Sequence, residues 1–173
     1  MQTTEEFLIR DARSADLARL LEINQANTPH VGPLSDSQLQ ILVEQSCGCR
    51  VAERDGTVTG FLLPLLAGAN YNSENFLWFK ARYREFLYID RIAVDAAARR
   101  QGLGSQLYAD VERFAHNQGI GLIACEVNLR PRNDTSLQFH RRLGFQQVGT
   151  QDTKNGTITV ALLTKELSDE NLG

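Results

Sequence analysis

The chain has 173 residues and a mass of 19.3 kDa, room for one domain and no second full one. Hydrophobic residues make up 42% and charged residues 23%, with three cysteines, which excludes disulfide miniproteins, fibrous chains and disordered tails. The net charge of −3 gives no global field for nucleic acid, yet residues 82–142 hold ten arginines against seven acidic residues, a local excess that suits a small anionic ligand.

Met1 to Arg10 carries Glu5 and Glu6 and no long apolar run, so no signal peptide is expected. Phe7 to Arg10 reads as a first strand. Leu17, Leu20 and Leu21 at helical spacing after Ser14, the expected N-cap, predict a helix to about Asn27. Thr28 to Pro33 is a breaker-rich loop, and Ser35 or Asp36 caps a second helix with Leu39, Leu42 and Val43 on one face. Cys47 and Cys49, one glycine apart, are too close for an ordinary structural bridge. A reducing compartment, the cytoplasm, is expected. Cys49–Glu53 and Thr57–Leu66 form a hairpin about Asp55-Gly56. The longest apolar run, Phe61 to Ala69, contains Pro64 and is too short for a bilayer, so no membrane partner is expected. Residues 68–82 read as irregular, polar and aromatic.

Phe86 to Val94 is a strand. Leu103, Leu107, Val111, Phe114 and Ala115 make an apolar stripe over a helix at 103–118, closed by Gly119. Ile120 to Val127 is a strand, and Asn133 caps a helix that ends at Leu143-Gly144. Phe145–Thr150 and Thr157–Leu163 close the chain as a hairpin around Asn155-Gly156. The order βααβββαβαββ implies a mixed sheet with helices packed on it. His30, His116 and His140 are scattered, so no metal is expected.

The informative stretch joins the strand ending at Val94 to the helix at Leu103: Arg99-Arg100-Gln101-Gly102-Leu103-Gly104-Ser105. Glycines there let a ligand approach the backbone, and free N–H groups at a helix start form an anion cradle. Two arginines add forked donors. No Gly-Lys-Ser/Thr follows, which excludes a P-loop, and Leu107 occupies the third-glycine position of a dinucleotide fingerprint. On spacing alone a tight turn with solvated arginines is an equal reading.

Arg99-x-x-Gly102-x-Gly104 after Ile92-Ala93-Val94-Asp95 resembles the acetyl-CoA loop of the GNAT superfamily of N-acetyltransferases. Asn133, Ser136, Phe139 and Leu143-Gly144-Phe145 resemble its second signature. The resemblance covers nearly the whole chain. It implies a GNAT-like α+β (three-layer α/β) fold: a twisted, mostly antiparallel sheet of about seven strands with helices on both faces, in one acyltransferase domain over residues 1–173. It further implies that Ile92, Ala93 and Val94 pair with the pantetheine arm, that Arg99, Arg100, Gln101, Gly102, Leu103, Gly104 and Ser105 hold the pyrophosphate, and that Asn133 bonds the cofactor near the thiol. For each a bland reading stays open: Ile92 and Val94 as plain core strand, Asn133 as an N-cap alone.

Acyl transfer to an amine needs a neutral amine, a polarised thioester and a proton for the leaving thiolate. Glu126, among Ala124, Cys125 and Val127, is the expected base, with burial raising its pKa. An ion pair with Arg91, Arg130 or Arg132 is the alternative. The family's acid is usually a Tyr in the helix after the Asn; here that position is His140, on one helical face with Ser136, Phe139 and Leu143. An inward packing histidine is the competing reading. The stretch Asn128 to Arg132 looks about two residues longer than in many relatives, which is expected to displace the following helix. Cys125 has no neighbouring His to make it a nucleophile. Asn24, Tyr71 and Asn72, in the segments 24–32 and 70–83, are expected to contact the acceptor.

The expectation is an acetyl-CoA-dependent N-acyltransferase, with acetyl-CoA as co-substrate, that modifies a primary amine of a small molecule or peptide by direct attack. A homodimer is left open. The rival is a non-catalytic acyl-CoA-binding regulatory module of the same fold.

Overall fold

The computed structural model describes residues 6–168. Residues 1–5, where the segment read as leaderless begins, and 169–173 lie outside the described residues. Two compact units divide the chain. One comprises the residues up to Pro64 together with Arg91–Val111, the other Leu65–Asp90 and the residues from Glu112 onward.

In the first unit β1 (Leu8–Asp11) pairs antiparallel with β2 (Arg50–Arg54), and β2 with β3 (Thr57–Leu66). The β2–β3 turn is the predicted one: Asp55 and Gly56 have φ of 52° and 76°, the twist a two-residue hairpin requires. Helix α1 (Leu17–Ala26) does not start on a Ser14 cap. A 3₁₀ turn at Ser14–Asp16 precedes it, because the Asp16 carboxylate accepts from the Arg13 N–H at 2.7 Å and is gripped by Arg10. Helix α2 (Asp36–Gln45) has a reciprocal cap, with Gln38 N–H on Ser35 Oγ at 3.2 Å and Ser35 N–H on Gln38 Oε1 at 2.9 Å. Leu20, Ile23, Leu39, Val51, Phe61 and Leu62 form this unit's core.

The end of β3 from Leu65 onward belongs to the second unit, and β4 (Leu87–Val94) and α4 (Leu103–Asn117) likewise run through both. In the second unit β4 pairs parallel with β5 (Leu122–Arg130), β5 antiparallel with β7 (Ile158–Glu166), and β7 antiparallel with β6 (Gln146–Thr153). The seven strands are mostly antiparallel, as expected, with β4–β5 the parallel pair. The parallel pairing covers only Leu87↔Ile123 and Tyr88↔Ala124, so beyond Tyr88 the two strands are no longer laddered. The β6–β7 connection takes in four residues, Lys154–Thr157, around the predicted Asn155-Gly156.

The segment read as irregular contains a helix, α3 (Glu74–Lys80), so the element order gains one helix over βααβββαβαββ. Ser73 caps it by accepting from Phe76 N–H at 3.1 Å. Phe76 and Phe79, three residues apart, are fully buried and pack edge-on or tilted against Phe86 and Tyr88 at 5.4–6.1 Å. Burial of one short aromatic face stabilises this helix, which is too short for a periodic signal. Helix α5 (Asp134–Arg142) begins at Asn133 as predicted, with Oδ1 accepting from Ser136 N–H at 3.3 Å.

The 128–132 stretch turns back on itself. A bulge at Asn128–Arg130 and a Leu129↔Arg132 bridge bring the Asn133 N–H onto the Asn128 carbonyl at 3.1 Å. The stretch is thus a small closed excursion at the base of α5, in which Arg130 still pairs with Thr159 of β7. Among the described residues no helix is long and apolar enough to cross a membrane.

Candidate functional site

The first unit carries the arginine–glycine loop. After β4, the Asp95 N–H donates to the Thr59 carbonyl at 2.8 Å, and its carboxylate accepts from Ala97 N–H at 3.0 Å and pairs with Arg19. Those bonds hold the Asp95 carboxyl below its ordinary pKa, the Ala97 N–H first and Arg19 second. A 3₁₀ turn at Ala96–Ala98 follows. Arg100 and Gly102 then adopt φ of 64° and 77°, two left-handed residues in three. At Gly102 a Cβ would meet only open space, so its backbone conformation is what calls for glycine.

The Gly102 carbonyl accepts the first helical bond, from Gln106 N–H at 3.1 Å. The N–H groups of Leu103, Gly104 and Ser105 therefore form the open first turn of a fifteen-residue helix. Arg99, Arg100, Gly102 and Ser105 are exposed around it. Gln101 has its side chain tied to Ala97 O and Arg54, and Leu103 has its side chain in the core, so each offers only its backbone to a ligand. Gly60 on β3 makes the approach of this loop possible. A Cβ there would lie 3.0 Å from Leu103 Cδ2, 3.2 Å from the Ala93 carbonyl and 3.4 Å from Val94 Cγ2. The charges, left-handed turns and open helix start fit a pyrophosphate.

Asn24 is fully buried in this unit, and its amide is consumed. Nδ2 donates to Gly32 O and Gln25 Oε1, both at 3.1 Å, and Oδ1 accepts from Arg91 at 2.8 Å. Arg91 also donates to Gly32 O at 2.9 Å. Asn24 therefore shapes the loop after α1 from beneath.

The second unit gathers Glu126, Tyr88, Asp90 and Tyr71. Glu126 is half-buried on β5, two residues past the last β4–β5 rung. The Tyr88 hydroxyl donates to Glu126 Oε2 at 2.6 Å. Tyr88 is fully buried, and burial first, then the Glu126 and Asp90 charges, push its pKa well above 10. It is a permanent donor that fixes the carboxylate's orientation. The Tyr71 hydroxyl donates to Asp90 Oδ1 at 2.5 Å, and its ring lies 6.4 Å from that of Tyr88. Asn72 beside it is exposed.

Tyr88 escaped the sequence reading because an aromatic inside an apolar strand reads as core. The signal available was its i, i+2 spacing to Asp90, which puts both on one face.

Asn133 uses Oδ1 as a cap and leaves Nδ2 without a partner among the described residues. His140 is buried as expected. Its Nδ1 lies 2.8 Å from the Ser136 carbonyl, so Nδ1–H donates there, with Ser136 Oγ at 3.3 Å. The ring packs edge-on to Phe139 and Phe145, both at 5.2 Å. Burial lowers its pKa, against the helix carbonyl, which raises it. Burial thus favours the neutral ring, and the Nδ1 proton is directed to the helix carbonyl.

The chain is similar to known proteins in sequence and in fold. The profile of the Acetyltransferase (GNAT) family matches residues 8–145. An N-alpha-acetyltransferase of Sulfurisphaera tokodaii is 26% identical over 145 residues, 83% of either chain. Ard1 from Thermoplasma volcanium superposes with a TM-score of 0.78 at 18% identity, over 94% of this chain and 99% of that one. The ribosomal-protein-alanine N-acetyltransferase of Brucella melitensis does so with a TM-score of 0.71 at 26% identity, over 92% and 99%. With the family profile covering most of its length, and the arginine–glycine loop at the start of α4, the chain belongs to the GNAT family of acetyltransferases.

Proposed function

We propose that the protein transfers an acetyl group from acetyl-CoA to a primary amine of a peptide or small molecule by direct attack. The observation that carries this reading is the Tyr88–Glu126 hydrogen bond of 2.6 Å, just past the last rung of the β4–β5 ladder. Glu126 takes the proton of the acceptor ammonium, and Tyr88 holds its carboxylate in place. The neutral nitrogen attacks the thioester carbon, the C–S bond breaks with its electron pair leaving on sulfur, and the surplus proton of the nitrogen passes to that thiolate, giving the amide and the CoA thiol. Acetyl-CoA supplies the activated acyl group. Arg99, Arg100 and the N–H groups of residues 102–105 hold its pyrophosphate, Ile92, Ala93 and Val94 pair with its pantetheine arm, and Asn133 offers Nδ2.

Direct attack is supported by Cys125, which is 3% exposed. With Nδ1–H donating to the Ser136 carbonyl and burial favouring the neutral ring, His140 is a packing residue in this reading. His140→Phe then retains turnover, and a loss of rate with unchanged acetyl-CoA KM restores the acid role to it.

Tyr71 and Asn72 contribute to the acceptor side, and Asn24 does so through the loop it supports. The names of the relatives make the peptide α-amine the first acceptor class to test. The experiment is acetyl-CoA consumption with product mass spectrometry over peptides with free N-termini, lysine and small amines. Acetylated product is expected. CoA binding without product across that panel would make the protein a non-catalytic binding module.

A further inference from the structure

Asn27 ends α1 and belongs to neither signature that identified the family. Its side chain spans three segments of the first unit. Nδ2 donates to the Ile23 carbonyl at 2.8 Å and to the Val94 carbonyl at 3.2 Å. Oδ1 accepts from an NH2 group of Arg99 at 3.0 Å. One amide thus joins the end of a helix, the last residue of β4 and the first arginine of the loop.

The chemistry of the partner matters. Arg10, Arg19 and Arg50 of the same unit are each held by a carboxylate, on Asp16, Asp95 and Asp110. Arg99 is held by a neutral oxygen. Its long side chain is restrained and, among the described residues, bonds no carboxylate; the Asp95 charge reaches it only through space, so the guanidinium is placed and still attractive to an anion. Asp95, four residues earlier, is already engaged by Ala97 N–H and Arg19. The same amide nitrogen fixes the Val94 carbonyl, which sets the end of β4 and the loop mouth as one piece.

We infer that Asn27 is a positioning residue for acetyl-CoA, a neutral clamp that presents Arg99 to the pyrophosphate. This rests on the reading of residues 99–105 as the pyrophosphate cradle.

The test is calorimetric titration of CoA into the full chain and its Asn27→Ala, Asn27→Asp, Arg99→Ala and Asn27→Asp/Arg99→Ala variants, at two salt concentrations, with thermal melts as a folding check. Asn27→Ala should weaken CoA a few-fold and keep the salt dependence. Asn27→Asp places a carboxylate on Arg99 and should weaken CoA about tenfold or more, flattening the salt dependence as Arg99→Ala does. In the Arg99→Ala background, Asn27→Asp should add little. If Arg99→Ala weakens CoA and both folded Asn27 variants bind like the parent, the clamp is refuted while the cradle stands. If Arg99→Ala itself binds CoA normally, the reading of Arg99 as part of the cradle fails and the clamp with it. A loss in Asn27→Asp that persists undiminished without Arg99 also refutes the clamp, since the effect would then run through the backbone.

Discussion

At the scale of single residues, the proposed chemistry rests on a carboxylate, Glu126, that accepts a hydrogen bond from a phenol, Tyr88, whose pKa lies well above 10. Glu126→Gln keeps the shape and removes the base, so kcat should fall about 10²-fold with the acetyl-CoA KM little changed. Tyr88→Phe removes the bond to Oε2 but leaves the aromatic packing of Phe76 and Phe79 in place. Steady-state kinetics should show kcat down about tenfold, the cost of a mis-oriented base. Unchanged turnover in both would remove the pair from the reaction. Glu126 was legible in the sequence as a lone acid in an apolar strand, whereas Tyr88 and Asn27 were not. A tyrosine in a strand and an asparagine at a helix end already have ordinary explanations, and hydrogen bonds across 38 or 67 residues leave no mark on local pattern.

At the scale of elements, periodicity and turn signals found every strand and four of the five α-helices among the described residues. They failed at α3, where seven residues hold only two buried phenylalanines. The loop after β4 was legible because glycine and arginine are demanded there by backbone angle and charge. Gly60 was not, since its reason lies in the neighbours it admits. Gly60→Ala should drive a methyl against Leu103 and the Ala93 carbonyl. Overpacking of this kind costs about 1–3 kcal/mol, and each kcal/mol lowers the melting temperature of a chain this long by roughly 2–4 °C. Because the displaced groups border the proposed cradle, CoA affinity should fall too. A variant with normal melting and normal CoA affinity would show that the loop gives way without consequence.

At the scale of the whole molecule, His140, Asp16 and Asp95 each make stability fall on acidification. Burial holds the His140 pKa below its unfolded value of about 6.5. The preference for a neutral ring is therefore fully present above that pH and is lost as pH falls through the lower, folded value. The Asp16 carboxyl is held low chiefly by Arg10, and the Asp95 carboxyl by Ala97 N–H and then Arg19. Their contributions are present above about pH 3.9 and disappear on further acidification. Melting curves should show a first decline beginning below pH 6.5 and a steeper one below pH 4. His140→Phe should erase the first and keep the second. A first decline that survives this substitution would have another source. The sequence showed His140 facing inward, but the carbonyl waiting for its proton appears only once the helix has formed.

The excursion at residues 128–132 has a further meaning for how this fold can change. The Asn133 N–H to Asn128 O bond and the Leu129↔Arg132 bridge seal it on either side of Pro131, so chain inserted at its tip should leave the geometry linking β5 to α5 in place. The site is a natural port for grafting: doubling the length of such a loop costs only about 0.6 kcal/mol in closure entropy. Four glycines and serines inserted after Pro131 should leave turnover intact, and the same segment could carry new recognition elements without disturbing the proposed base two residues before the seal.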